Sequence, residues 1–222
     1  MAIESQGVQV RRQSTAAGST GQTIAATIAF SATGITRSDG GSFVTDGFST
    51  GMRVETDSSA NSTRVFTLSS VSATSMSVYE TLSAQSTGAT ITITGHDMEA
   101  IGQVMGFNGP SGSANVIDIT HLGSTAKEKM IGLRDEGQLS IDIIYDTGAT
   151  ALHTALKDDR ATRTQRIFDI TLTDNGTASS QPSAFYFDSY VTNLSITGAV
   201  DDVVKGSITL EITSAVHAID AV

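Results

Sequence analysis

Residues 106–137 read GFNGPSGSANVIDITHLGSTAKEKMIGLRDEG: a Gly/Pro turn, an apolar strand, then a long charged stretch with no catalytic signature. The stretch from Thr120 to Gly137 reads as a loop carrying both signs of charge, at Lys127, Glu128, Lys129, Arg134, Asp135 and Glu136. Long loops in compact domains are functional or disordered. Leu122, Met130, Ile131 and Leu133 favour function, because they are apolar anchors that need a surface to pack on. Another copy of the protein supplies such a surface, so the segment reads as an assembly element.

Downstream the pattern is that of half-wet strands. Between Gln138 and Asp146, Leu139, Ile141, Ile143 and Tyr145 alternate with Gln138, Ser140 and Asp142, and Ile208, Leu210 and Ile212 alternate with Ser207, Thr209, Glu211 and Thr213. Further strands are expected at Gly7–Arg11, Met98–Phe107, Asn115–Thr120, Arg166–Leu172 and Ser183–Thr197, the last long enough to carry a bulge. One helix is expected at about 148–159, capped near Asp146 or Thr147, with Ala151, Leu152, Ala155 and Leu156 on its apolar side.

Upstream, Gln13–Gly21 is a polar, small-residue tract that reads as a linker or an arm ordered on assembly. From 24 to 95 short strand-like segments recur, at Ile24–Phe30, Ser42–Val44, Met52–Glu55, Arg64–Val71, Ser75–Tyr79 and Ala89–Thr94. Turns at Asp39-Gly40-Gly41, Asp46-Gly47 and Thr87-Gly88 divide them. The division expected is an N-terminal strand and arm at 1–23, a small β domain at 24–95, and the remainder at 96–222.

Composition points the same way. The 222 residues include 21 Gly, 2 Pro, no Trp and no Cys, and they are rich in Ser and Thr, a mix suited to short strands and turns. Lack of cysteine excludes disulfides, thiolate catalysis and cysteine-based zinc sites. The first residues have no signal-peptide core, and no run approaches the roughly 20 apolar residues of a membrane helix, so cytoplasmic synthesis and folding are expected. A net charge of −10 argues against a protein that clamps nucleic acid, which needs Lys and Arg to displace phosphate counterions. From charge alone the acidity reads first as plain solubility; beside a polyanion an acidic wall would also repel phosphate and prevent long-lived contacts.

The residues Gly109-Pro110-Ser111-Gly112-Ser113, Ile117-Asp118-Ile119-Thr120, Ser124-Thr125-Ala126-Lys127-Glu128 and Gly132-Leu133-x-Asp135-x-Gly137 together resemble the major tail tube protein of bacteriophages with long, flexible (siphovirus-like) tails. The resemblance continues in Ser5-Gln6-Gly7-Val8 and in Ala199-Val200-Asp201-Asp202-Val203-Val204-Lys205-Gly206-Ser207, leaving out roughly residues 24 to 95. It implies an all-β sandwich or barrel tail tube fold with one short helix. Gly41-Ser42-Phe43-x-x-Asp46-Gly47-Phe48-x-x-Gly51-Met52 is similar to a small β-module of phage structural proteins, which makes 24–95 an insertion on the tube exterior. The resemblance further implies six subunits that share strands in one large barrel, with rings stacking into a tube in the virion tail after assembly in the host cytoplasm. The shared wall would use strands near 98–107, 138–146, 184–197 and 204–213, with Asp142, Asp188 and Glu211 toward the lumen. Subunit and ring contacts would use Lys127, Glu128, Lys129, Met130, Ile131, Leu133, Arg134, Asp135 and Glu136. The implied partners are further copies of the chain, a tape measure protein in the lumen during assembly, and tail terminator and tail-tip proteins. Double-stranded DNA would pass without binding, and neither membrane insertion, a cofactor nor an enzymatic activity is implied.

Two other classes have distinct requirements. A virion decoration or receptor- and glycan-binding protein needs an exposed aromatic platform, for which Phe30, Phe43, Phe48, Phe66 and Tyr79 are the candidates. A glycan-cutting enzyme needs two opposed carboxylates in a cleft, and the sequence offers acids without a recognisable pair. Gly109–Ser113 lacks the last glycine of a nucleophile elbow, and Gly123–Lys127 lacks the second glycine of a phosphate loop. His96-Asp97-x-Glu99 reads as a polar strand entrance able at most to hold a cation weakly.

Overall fold

The computed structural model describes residues 6–14, 22–62, 65–148, 152–174 and 182–220. In chain order the elements are β1 (Gln9–Gln13), β2 (Gln22–Phe30), β3 (Gly34–Arg37), β4 (Arg53–Thr56), β5 (Phe66–Val71), β6 (Ser75–Val78), β7 (Gln85–His96) and β8 (Met98–Ala100). There follow β9 (Val104–Asn108), β10 (Ser113–Asp118), β11 (Lys129–Asp135), β12 (Gln138–Ile144), α1 (His153–Thr162), β13 (Arg166–Thr171), β14 (Ala184–Thr197), β15 (Lys205–Ile212) and β16 (His217–Ile219). The fold is therefore the all-β one expected, with a single short helix among the described residues. The chain divides into two compact units: Met1–Ile101 with Ile167–Tyr186 and His217–Val222, and Gly102–Arg166 with Phe187–Val216.

In the first unit β2–β7 close into a barrel in the order β2-β3-β6-β5-β4-β7, completed by the β2–β7 pairing from Gln22↔Gly95 to Phe30↔Gln85. Closure leaves no strand edge to template further pairing. The interior is filled by Ile28, Phe30, Ile35, Phe43, Phe66, Leu68, Met76 and Ile93 with their neighbours. Three details differ from expectation, the first being that the expected turn at Thr87-Gly88 lies within strand β7. Ser42–Val44 is a turn rather than a strand, its Phe43 ring meeting Phe48 edge-on at 5.9 Å. Gly34–Arg37 is a strand that the four-residue run GITR, with only Ile35 buried, does not announce. The Arg37 guanidinium grips both Asp39 oxygens at 2.7 Å, also pairs Asp46, and lies 4.9 Å over the Phe43 ring.

The same unit contains β8, β1 and β13 side by side, with β14 beginning beside β16. A buried ionic cluster ties the barrel to these strands. Asp169 on β13 is fully buried; its carboxylate accepts from Arg11 Nε at 2.8 Å and from Arg53 Nε of barrel strand β4 at 3.2 Å, and Arg53 also donates to Thr67. Burial pulls the Arg53 guanidinium below its ordinary range, and Asp169 opposes that shift. Tyr186 Oη donates to Glu55 at 2.8 Å beside a small cluster of Val65, Ile167, Ala184 and Ile219.

The second unit holds a sheet in the order β14-β15-β12-β9 and a separate two-stranded ribbon, β10–β11. The expected strand Met98–Phe107 is broken at Gly102–Gln103, where Gln103 adopts φ 59, and its halves β8 and β9 fall in different units. The expected loop Thr120–Gly137 is a correction: Lys129–Asp135 is strand β11, paired with β10 from Ser113↔Asp135 to Asp118↔Lys129. The helix begins at His153, with Leu152 in the left-handed region at its N-terminus and no side-chain cap, so the expected cap at Asp146 or Thr147 is not used. Asp146 instead accepts from the Gly148 N–H at 2.8 Å, and its own N–H donates to His153 Nδ1 at 3.0 Å. Positions 149–151 of the expected helix, and most of the expected arm Gln13–Gly21, lie outside the described residues. Among the described residues no helix is long and apolar enough to cross a membrane.

Candidate assembly surfaces

Register defines the two faces of the β14-β15-β12-β9 sheet, because residues paired across a ladder project from the same face. Gln138, Ser140 and Asp142 face the same way as Glu211, Thr209 and Ser207, while Leu139, Ile141 and Ile143 align with Leu210, Ile208 and Gly206 on the buried side. β14 continues the wet face with Tyr190, Asn193, Ser195 and Thr197, after a bulge between Val191 and Asn193. β9 adds Asn108 and Gly106, opposite Ser140 and Asp142. The wet face is thus mainly hydroxyls and amides. Its acids are Asp142, which is exposed, Glu211, whose Oε2 accepts from Gln138 Nε2 at 2.7 Å, and Asp188, two residues before Tyr190 on the same strand. Lys205 is the cation on this face and is paired with Asp202 at 2.7 Å.

β9 pairs with β12 and with no other strand among the described residues, so its outer N–H and C=O groups form an open edge. Such an edge adds a strand from another chain unless it is blocked. Phe107 and Met105 on this edge strand are exposed.

The β10–β11 ribbon is the least self-sufficient part of the molecule, since a lone two-stranded hairpin is at best marginally stable. Val116 pairs with Ile131, on the face that also bears Leu133, and Ile117 pairs with Met130 on the opposite face. Both faces are therefore apolar, and all five side chains are exposed, Leu133 at 93%. The base of the ribbon is set by Gly109 at φ +120 and Gly137 at φ +71. A Cβ at Gly109 would collide with the Gln138 carbonyl oxygen, and one at Gly137 would come within 2.5 Å of the Ser111 oxygen. Beyond the strands Ile119 N–H donates to Glu128 O, and the Thr120 N–H and hydroxyl hold the Asp118 carboxyl below its usual range.

Each residue expected at contacts can now be located. Lys127 and Glu128 sit in the connection at the ribbon tip, with Glu128 4.0 Å from His121 Nε2. Lys129, Met130, Ile131, Leu133, Arg134 and Asp135 are on β11, and Glu136 follows it, ion-paired with Arg134 at 2.8 Å. Sequence reading missed Val116 and Ile117 on β10, Ile119 just beyond it, and Val200, Val203 and Val204 in the turn between β14 and β15, all exposed. The available signal was apolar residues in adjacent rather than alternating positions, which no single buried face explains.

The features required by the other classes are placed differently. Phe30, Phe43, Phe48 and Phe66 lie inside the barrel and cannot form an exposed platform, and Tyr79 is half-buried. His96 Nδ1 lies 3.1 Å from Gln13 Nε2, and Glu99 accepts from the Ser14 hydroxyl at 2.7 Å, so these side chains serve the β1–β8 edge. No group of three or more potential metal ligands occurs among the described residues.

A family model described as "Phage tail tube, TTP, lambda-like" matches residues 56–222. Among solved structures the chain is similar to one in the cryo-EM structure of the anti-feeding prophage (AFP) baseplate, 6-fold symmetrised, with 12% identity and a TM-score of 0.43. That alignment covers 56% of this chain and 84% of the other. No curated protein matches the sequence.

Proposed function

The chain belongs to the lambda-like phage tail tube family, a family of structural tail proteins, and from that premise we propose that it polymerises as stacked six-membered rings forming a conduit for DNA. The observation that carries this reading is the open sheet β14-β15-β12-β9, with one buried face, one polar face and a free β9 edge. Six such sheets, each joined through its free β9 edge to a neighbouring copy, would close a barrel whose lining is the polar face, because closure requires a free edge strand to find a neighbour. Asp142, Asp188 and Glu211 then face the lumen among hydroxyls and amides, a surface with few donors strong enough to hold phosphate. The β10–β11 ribbon supplies apolar contacts to neighbouring copies, and the barrel at 24–95 is an inserted module on the tube exterior. Tape measure protein would fill the lumen during assembly in the host cytoplasm, with terminator and tip proteins at the two ends. The protein acts by shape and assembly, without catalysis.

Electron microscopy of concentrated purified protein tests the reading: hollow tubes of uniform diameter are expected, and discrete monomers at every concentration would contradict it. Tubes built from Asp142→Lys/Glu211→Lys protein should assemble but impair DNA passage. Normal infectivity of a phage carrying that variant would remove charge repulsion from the account.

A further inference from the structure

The second unit carries two exposed apolar surfaces rooted at opposite ends of one sheet. Gln138↔Glu211 and Ser140↔Asn108 mark one end, and Ile144↔Lys205 with Thr197↔Lys205 marks the other. The β10–β11 ribbon joins β9 to β12 at the first end, between Asn108 and Gln138. At the second end the turn 198–204 joins β14 to β15 and exposes Val200 (93%), Val203 and Val204, next to exposed Ile196. It is held in place by the Tyr145 N–H on Val204 O at 2.8 Å. Six residue steps along β12 put roughly 20 Å between the two roots.

Each surface carries charge of both signs, and on each the charge left without an ion pair is of the opposite sign to that on the other. The turn carries Asp201 and Asp202; Asp202 is taken up by Lys205, while Asp201, at φ 62, has no ion pair among the described residues. The ribbon tip carries Lys127 and Lys129, likewise without ion pairs among the described residues, beside exposed Ile119 and Leu122; its acids are engaged locally, Glu128 4.0 Å from His121 Nε2 and Asp118 accepting from Thr120. Exposed apolar groups bordered by an unpaired acid on one surface, and by unpaired cations on the other, match each other better than either matches itself. A contact between two different patches on identical chains is heterologous, and if the operation does not close it builds an open filament.

Resting on the stacked-ring reading, we propose that the ribbon tip of one subunit seats on the β14–β15 turn of a copy in the next ring, Ile119 and Leu122 covering Val200 and Val203 while Lys127 and Lys129 face Asp201. The partner is a second copy of this chain, and the contact gives the tube its direction of growth.

The chain has no cysteine, so a Lys127→Cys/Asp201→Cys variant reports the contact directly. Mild oxidation of its tubes is expected to give disulfide-linked multimers on non-reducing gels, a ladder continuing beyond the number of subunits in one ring. Absence of the ladder in tubes that do form overturns the proposal. Charge reversal gives a second readout that does not depend on thiol geometry. Asp201→Lys is expected to abolish tubes, and combining it with Lys127→Asp and Lys129→Asp is expected to restore them. Tubes of normal length from Asp201→Lys alone, or no restoration in the combination, would overturn it. If wild-type protein forms no tubes, the stacked-ring reading itself fails and this contact fails with it; if wild-type tubes form and the variants behave otherwise than expected, only the contact fails.

Discussion

The barrel β2–β7 and the sheet β14-β15-β12-β9 are built from the same alternating strands but solve the edge problem in opposite ways. The barrel pairs its first strand with its last and buries a core of fifteen hydrophobic residues. The sheet ends at β9, and the ribbon beside it buries almost nothing. Apart from Val44, every large apolar side chain exposed among the described residues belongs to the second unit. One region is complete within a single chain, and the other exposes an open edge and apolar faces that, on the proposed function, a sister chain covers. The difference is one of closure rather than composition, since isolated strand pairs and open edges are stable only with further partners.

Substitutions that separate stability from assembly test this contrast most strongly. Phe43→Ala removes a fully buried ring and should cost about 3–5 kcal/mol in the monomer's denaturant unfolding. Leu133→Asp, on the ribbon, should leave that transition within about 0.5 kcal/mol while abolishing higher oligomers in sedimentation velocity. A destabilised Leu133→Asp monomer, or normal oligomers from it, would break the comparison.

A comparable effect is expected where the barrel is tied to β1 and β13. Asp169→Asn leaves Arg53 buried without its countercharge and should cost about 3–5 kcal/mol. Arg11→Lys, at the partly exposed end of the cluster, should cost far less, as thermal melts of the two variants would show. Equal losses would mean that the cluster is solvated and does not anchor the barrel.

The smallest effect is a pH dependence. Hydrogen bonding to the Arg37 guanidinium, foremost among several causes, lowers Asp39 from the ordinary aspartate value to about 2. Its contribution is therefore fully present above about pH 4 and is lost as the pH falls through about 2. The melting temperature should decline over that interval, with a shallower decline in Asp39→Asn. Because Asp39 is exposed, the shift should be slight and should shrink in high salt.

The parts legible in sequence were those with one wet and one dry face. β12 and β15 alternate without interruption, and the length of β14 correctly implied a bulge, found between Val191 and Asn193. Segments obeying a different physical rule were misread. The β11 stretch reads as loop because Met130 and Ile131 are adjacent and Gly132 follows, a pattern that arises when both faces of a ribbon are apolar and exposed. The helix start was displaced because Asp146, a plausible cap, is engaged with Gly148 and His153. Of the candidate contacts, Met130, Ile131 and Leu133 stood out as unexplained apolar residues among charges. Val200, Val203 and Val204 do not stand out, because they flank the adjacent acids Asp201 and Asp202 and follow neither a strand nor a helix period.

Hydrogen exchange compared between monomer and assembled protein addresses the central claim most directly, because protection reports local opening residue by residue. The unfinished second unit should gain strong protection on assembly along β9 and β10–β11, while the barrel strands, already closed, should change little. Ribbon and β9 amides as protected in the monomer as in the assembly would contradict the account.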